Sequence, residues 1–418
     1  MKLLTFLGTG NYQCTTYFWD GKEYKTDYAP VASCHFLQPQ QLILFVTSDA
    51  RNTHLEKLTN QLPAGVSVDA REIPTGQDEK QLWEIFSAVA SAVSPKEEVA
   101  FDITHGLRSF PLIGLLAAAF LRSGFNVKVQ AVLYGGYDVR DKSTNRTPMF
   151  DLTPMITLLE WAVAADRFNR TGDSRYLASI VKEFRPRLAQ VAKDSNLPLD
   201  EVGGLGNLAG ALTSISHSLQ LIRPQNIAEQ IESLPSTIEK AKPALEWAVE
   251  VSPLSLLLDQ IVDNYAPLGL KAPNENPREF LHQQRRLIDF YIQREQWVQA
   301  ITLAREWMVN WFMFHLGFYD FTSEDRQRVE NDINTEAKNY RKQHDTNTEA
   351  KNDREQHDYQ PGFPNRVPEV SSALKLWNDI IQVRNDINHA GFRKNPADAE
   401  SLIGNIRKLV QSLQKLPI

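Results

Sequence analysis

Arg384 and His389 stand five residues apart in the stretch Val383-Arg384-Asn385-Asp386-Ile387-Asn388-His389-Ala390-Gly391. An arginine fork can hold a phosphate through paired hydrogen bonds, and an imidazole can move a proton near neutral pH. Together they supply what cleavage of an RNA phosphodiester by its own 2′-hydroxyl requires, without a metal. On an ideal helix five residues span about 140° of rotation and roughly 7.5 Å of rise, so the pair shares a broad edge rather than a narrow face. Nine histidines make one chance Arg-x4-His match unsurprising, so the spacing alone decides little. The neighbours add weight. Asn385, Asp386 and Asn388 are poor helix formers, yet they follow a run in which Leu374, Trp377, Ile380 and Ile381 recur at helical spacing. Gly391 is the expected helix stop.

A second group of candidate residues lies in three polar loops, each after an expected strand. They are Gly8-Thr9-Gly10-Asn11-Tyr12, Thr47-Ser48-Asp49 and Thr104-His105-Gly106-Leu107-Arg108-Ser109. Ligands of open parallel sheets bind outside the carboxyl ends of the strands, where these loops belong. Glycines let a phosphate approach the backbone, helix N-termini favour anions, and Arg108 adds charge. Asp49 and Ser109 are the expected caps of the helices that follow. Tyr12, or Tyr134 and Tyr137 after the last strand, could stack on a base. His105 reads equally well as a ligand contact or as an ordinary loop histidine. A nicotinamide or flavin site is disfavoured, because Gln13 stands where the third fingerprint glycine belongs and a hairpin follows instead of a helix.

The elements that must position these residues follow from periodicity. Strands are expected at Lys2–Leu7, Leu42–Thr47, Val66–Ile73, Val99–Thr104 and Val127–Tyr134, and helices at Ala50–Leu62, Glu79–Val93 and Ser109–Arg122. Such alternation gives a parallel sheet covered on both faces. Thr15–Tyr28, with Asp20-Gly21 at its middle, reads as a hairpin beside that sheet. From residue 153 the pattern is helical throughout. Val202–Gly206 reads as a glycine-rich joint, and Ala209–Leu221, Ile227–Leu234 and Ser236–Val249 as helices separated by prolines. Pro277–Arg294 and Gln296–Leu316 are strongly amphipathic, and a last helix is expected from Asn395-Pro396 through Leu416. Glu306 reads as either a partner of Arg384 or a local surface charge. Asn334–Asp345 is followed thirteen residues on by a near copy, Asn347–Asp358. This duplicated, charged insertion (333–358) has almost no apolar content and is expected to stay out of any core.

A chain of 418 residues exceeds one core. The expected division is an α/β domain (1–152), an all-α connector (153–274) and an all-α domain (275–418). An apolar fraction of 42% with 23% charged residues is ordinary globular composition, and a net charge of −6 argues against broad, non-specific nucleic-acid binding. Two cysteines, Cys14 and Cys34, form neither a disulfide framework nor a zinc set, which fits a reducing cytoplasm. No signal peptide is read at the N-terminus, and the longest apolar run, Leu112–Leu121, is too short to span a bilayer.

The phrase Asp102-Ile103-Thr104-His105-Gly106-Leu107-Arg108-Ser109-Phe110-Pro111 resembles the CARF domains of CRISPR-associated proteins, in the branch that joins CARF to HEPN. Gly8–Tyr12 and Asp151-Leu152-Thr153-Pro154 are similar to the same branch. Arg384 and His389 resemble the Arg-x4-6-His motif of HEPN ribonucleases, with Asn385 as the polar residue that follows the arginine. The Arg305-Glu306-Trp307 phrase also looks like this family.

The resemblance implies a Rossmann-like CARF domain, a helical connector and a HEPN domain. It implies a homodimer or higher oligomer, a cyclic oligoadenylate activator bound across the twofold axis, and single-stranded RNA as substrate. Cyclic tetra-adenylate stands first among ring sizes, and no cofactor, metal, membrane or DNA is expected. The activator contacts carried over are Gly8, Thr9, Gly10, Asn11, Tyr12, Thr47, Ser48, Thr104, His105, Gly106, Arg108 and Ser109. The catalytic residues carried over are Arg384, His389 and Asn385. The resulting expectation is a metal-independent RNase of type III CRISPR antiviral defence that leaves 2′,3′-cyclic phosphate ends. Alternatives are a CARF half that also degrades its activator, and a non-catalytic sensor.

Overall fold

The computed structural model describes residues 1–247, 253–345, 363, 367–392 and 394–418. The chain divides into two compact units, Met1–Ala162 and Val163–Ile418.

The first unit is built on an eight-stranded sheet. Its strands are β1 (Lys2–Leu7), β2 (Thr15–Trp19), β3 (Lys22–Thr26), β4 (Gln41–Val46), β5 (Ser67–Glu72), β6 (Glu98–Asp102), β7 (Lys128–Gly135) and β8 (Arg146–Asp151), in the order β3-β2-β8-β7-β6-β1-β4-β5. The five strands β7-β6-β1-β4-β5 are mutually parallel. Helices α1 (Ala29–Leu37), α2 (Ser48–Thr59), α3 (Glu79–Ala90) and α4 (Ser109–Phe125) connect them. Central strands buried on both faces must be apolar at nearly every position, and β1 and β4 are. Phe6, Phe45, Phe101 and Phe110 fill one face, and Leu3, Leu7, Leu44, Val46 and Leu133 the other.

Two expectations change here. The hairpin β2–β3 is not beside the sheet but extends it, because β2 pairs in parallel with β8, a strand that lacks an apolar run. The helix caps also shift by a residue or two. Thr47, not Asp49, caps α2 by accepting from the Ala50 N–H, and Ser109 is the first residue of α4 rather than its cap.

The second unit is helical. Its elements are the end of α5 (Thr153–Thr171), then α6 (Arg175–Asp194), α7 (Leu199–Gln220), α8 (Pro224–Glu246), α9 (Pro253–Tyr265), α10 (Pro277–Gln293), α11 (Trp297–Leu316), α12 (Asp325–Asp345), α13 (Val370–Asn388) and α14 (Ala399–Leu413). The glycine run Val202–Gly206 is no joint but lies inside α7. Gly204 is there for close packing, since a β-carbon on it would sit 2.5 Å from the Lys240 carbonyl oxygen of α8. α8 runs unbroken through Pro235 and Pro243, where two helices were expected; the expected end at Val249 lies outside the described residues. α14 starts at Ala399 rather than at Asn395, with Asp398 capping the Ser401 N–H.

The first copy of the duplicated segment also departs from expectation. It forms the second half of α12. Ala337 is buried, Asn334 accepts from the Trp377 indole N–H at 3.1 Å, and the Ala337 carbonyl accepts from the Asn378 amide at 3.0 Å. One small apolar residue per two turns is enough for a helix to lie on a neighbour whose own face is apolar. The second copy, residues 347–358, lies outside the described residues. No described helix is long and apolar enough to cross a membrane.

Candidate functional site

In the first unit β1 lies between β6 and β4, so the loops leaving these three strands are neighbours. After the β2–β3 hairpin at the far edge, the chain returns to β4 and β5 on one side of β1 and then crosses to β6 on the other. The β1/β6 boundary is therefore the switch point at which open α/β sheets bind ligands. Gly8 and Gly106 approach each other there. A β-carbon on Gly8 would lie 3.0 Å from the Gly106 Cα, and one on Gly106, whose φ is +115°, would lie 2.8 Å from the Phe110 ring.

Asn11, Tyr12, Thr104 and His105 line one pocket of about 170 Å³, together with Gln13, Tyr17, Asp27, Tyr134, Tyr137 and Asp138. Thr104 ties this loop to neighbouring strands. Its N–H donates to Asp102 Oδ1 at 2.9 Å, and its Oγ1 accepts from the Gly135 N–H at 2.8 Å. Asp102 is fully buried, and burial holds its pKa above the usual carboxylate range despite the donors on Ser33 and Thr104. The Tyr12 hydroxyl accepts from the Gly8 N–H at 3.0 Å, closing the first loop on itself. The Tyr12 ring sits 4.0 Å from His105, centroid to centroid.

His105 is a wall of this pocket, not an exposed cation. It is buried, its Nε2 accepts from the Ala29 N–H at 3.1 Å, and burial, aided by nearby His54, pushes its pKa down to about 3. Thr47 spends its hydroxyl on capping α2. Thr9, Gly10, Ser48, Gly106 and Arg108 are exposed outside the pocket, Gly8 is buried, and Ser109 is half-buried at the start of α4. The loops thus offer exposed backbone, while the pocket between them is aromatic and carries two carboxylates, Asp27 and Asp138. Those two side chains lie in the link between β3 and α1 and in a short 3-10 turn, where neither spacing nor a motif marked them in the sequence.

In the second unit Arg384 lies in the last turns of α13, and its Nε is enclosed with no acceptor among the described residues. His389 is the C-cap of the same helix. Its N–H donates to the Asn385 carbonyl at 3.0 Å, and its side chain is exposed. The chain then turns through Ala390 and Gly391, both at positive φ, which ends the helix close to the expected stop. Asp386 has a structural role: Oδ2 accepts from the Ala397 N–H at 3.1 Å and fastens the loop before α14. Asn385 is half-buried one turn before the cap.

Glu306 takes neither of its expected roles. It pairs with Arg305 at 2.7 Å and with Arg326 of α12. Burial raises its pKa, but the two guanidinium groups outweigh that and hold it below the usual range.

The central helices carry the sequence similarity. Residues 157–267 match the family described as CRISPR-associated protein MJ1674, second domain. The chain is 29% identical over 128 residues to the CRISPR-associated protein MJ1674 of Methanocaldococcus jannaschii. That match covers 29% of this chain and 20% of the relative's length. This chain is homologous to a CRISPR-associated protein. The family match falls on α5 to α9.

Proposed function

We propose that this protein is a cyclic-oligoadenylate-activated RNA endonuclease of type III CRISPR defence, working as a homodimer. The observation that carries the reading is the end of α13. A buried arginine nitrogen without an acceptor among the described residues and an exposed histidine share the last turns of one helix. A scissile phosphate would give the Arg384 guanidinium an acceptor for its paired hydrogen bonds. His389 of one copy takes the proton from the RNA 2′-hydroxyl. That oxygen attacks phosphorus, the bond to the 5′-oxygen breaks, and a protonated imidazole, such as the same residue of the second copy, returns a proton to the leaving oxygen. The products are a 2′,3′-cyclic phosphate and a 5′-hydroxyl. Arg384 stabilises charge on the phosphoryl oxygens, and Asn385 orients the strand beside it.

The first unit supports the sensing half of the reading. A pocket of about 170 Å³ is smaller than the roughly 300–1,000 Å³ usual for a whole small-molecule ligand. It fits one adenine, with Tyr134 or Tyr137 against the ring and Asp27 or Asp138 accepting from the exocyclic amine. The phosphates then lie on the exposed backbone of Thr9–Asn11 and Gly106–Arg108. A ring of several nucleotides needs more than one such pocket, which two copies of the chain provide. An exposed apolar stripe on α4 supplies a surface for that pairing: Leu112, Leu116 and Phe120 recur every four residues and are 60%, 49% and 46% exposed.

The test separates the two halves. His389→Ala is expected to lower RNA cleavage by about 10²–10⁴-fold and to leave the affinity for cyclic tetra-adenylate unchanged. Cleavage at the wild-type rate in that variant would refute the assignment.

A further inference from the structure

The second unit contains a cavity of about 330 Å³ that the proposed reaction does not use. Its wall combines the turn between α7 and α8, the middles of α10 and α11, and the residues around the start of α12. Three features of this wall point to a ligand.

The first is a buried hydrogen-bond donor without an acceptor. Gln284 is 1% exposed, and its Nε2 has no partner among the described residues. The orientation of this amide is set by a relay. Arg326 can only donate, and it donates to Asn310 Oδ1. The Asn310 amide nitrogen therefore faces Gln284 and donates to its Oε1 at 3.0 Å. Flipping the Gln284 amide would set two donors against each other, so its NH₂ group is the one left over. A buried donor without an acceptor costs about 1–3 kcal/mol, and a ligand acceptor would recover that.

The second is a positive end. α8 is 23 residues long, begins with Pro224 and has no side-chain cap at its N-terminus. The N–H groups of its first turn and the exposed Arg223 side chain face no acceptor that the helix itself can supply. Of the charged side chains in the wall, Arg223 and Arg326 are cationic and Glu306 is anionic, and Glu306 is already held by Arg305 and Arg326. The third feature is a pair of aromatic rings. Phe280 and Phe321 lie nearly parallel, 24° apart, with centroids separated by 6.4 Å.

We propose that this cavity binds a nucleoside monophosphate unit. Its phosphate lies at the α8 N-terminus beside Arg223, its base lies along the Phe280–Phe321 surface, and a base carbonyl or ring nitrogen accepts from Gln284. The unit could be a free nucleotide or the 5′-terminal nucleotide of a strand, since both present the same groups. The site does not depend on the cleavage assigned to α13.

Titration calorimetry on the full chain tests it, with AMP, GMP, CMP, UMP and inorganic phosphate as separate probes. Saturable binding of at least one mononucleotide, at least tenfold tighter than phosphate, is the expected result. Arg223→Glu lies on the surface and is expected to weaken that binding about tenfold or more. Gln284→Met keeps the volume, removes the free donor, and is expected to weaken nucleotide several-fold while leaving phosphate binding unchanged. A 5′-phosphorylated 2′-O-methyl trinucleotide, which resists attack by its own sugar, distinguishes the sources. If it competes at equal or better affinity the strand end is the ligand, and if it fails to compete a free nucleotide is. Absence of saturable nucleotide binding, equal affinity for phosphate and nucleotide, or unchanged affinity in the folded Arg223→Glu protein would each overturn the proposal.

Discussion

In the proposed reaction Arg384 and His389 divide the work between a fixed charge and a movable proton. The guanidinium is planar and the residue half-buried, so its value lies in the fork geometry. Arg384→Lys keeps the charge and loses the fork. It is expected to cut the cleavage rate by at least about tenfold with little change in thermal stability, measured by single-turnover kinetics and by melting. His105 illustrates the opposite use of an imidazole. Its folded pKa of about 3 lies below the ordinary value of about 6.5, so the folded state binds fewer protons than the unfolded state between those limits. The stability this group contributes is fully present above about pH 6.5 and is lost at about 1.4 kcal/mol per pH unit as the pH falls toward 3. Replacing it, His105→Gln, is expected to flatten that part of the wild-type acid unfolding curve, while the opposing contribution of buried Asp102 is common to both proteins. The two histidines look alike in a sequence. Only the fold turns one toward the Ala29 amide and leaves the other at a helix end, which is why His105 stayed open as a reading and why Asp27 and Asp138 were missed.

At the scale of the element, close approach explains most departures from simple patterning. Gly204 and its neighbours read as a flexible joint because glycine is a poor helix former in isolation. In α7 the residue is instead selected by the distance to α8, where any β-carbon meets the Lys240 carbonyl. Gly204→Val is expected to destabilise the second unit by about 1–3 kcal/mol, read as a lower midpoint in denaturant with an unchanged slope. Gly8 and Gly106 obey the same constraint between two loops. The parallel strands β1, β4, β6 and β7 were legible because buried strands show apolar runs, and α10, α11 and α13 because their periodicity is strong. β8 was not, since Arg146–Asp151 is polar and gains its place only by pairing with β2 and β7. The two prolines inside α8 and the helical first copy of the repeat were hidden for a related reason. Tertiary contacts, such as Asn334 with Trp377, overrode local propensity.

At the scale of the whole molecule, the account requires two copies. A stripe of exposed leucine and phenylalanine on α4 would be costly in an isolated protein and continues through a chain of rings, with Phe86 5.4 Å and Phe125 5.5 Å from Phe120. Leu116→Glu places a charge in that stripe without touching either candidate site. It is expected to shift sedimentation from dimer to monomer at micromolar concentration and to lower activated cleavage in parallel. A monomeric wild type would remove the basis for a ring shared between copies. The family match lies on α5 to α9, between the strand-end loops and α13, so it supports the setting of the proposed reaction rather than its chemistry.

The most direct measurement is cleavage of a fluorescent single-stranded RNA by the full chain, with chelator present, in the absence and presence of cyclic tri-, tetra- and hexa-adenylate. The account expects negligible cutting without activator, strong stimulation by one ring size with cyclic tetra-adenylate foremost, and products ending in 2′,3′-cyclic phosphate. Cutting that no cyclic oligoadenylate stimulates, or products with 3′-hydroxyl ends, would contradict it.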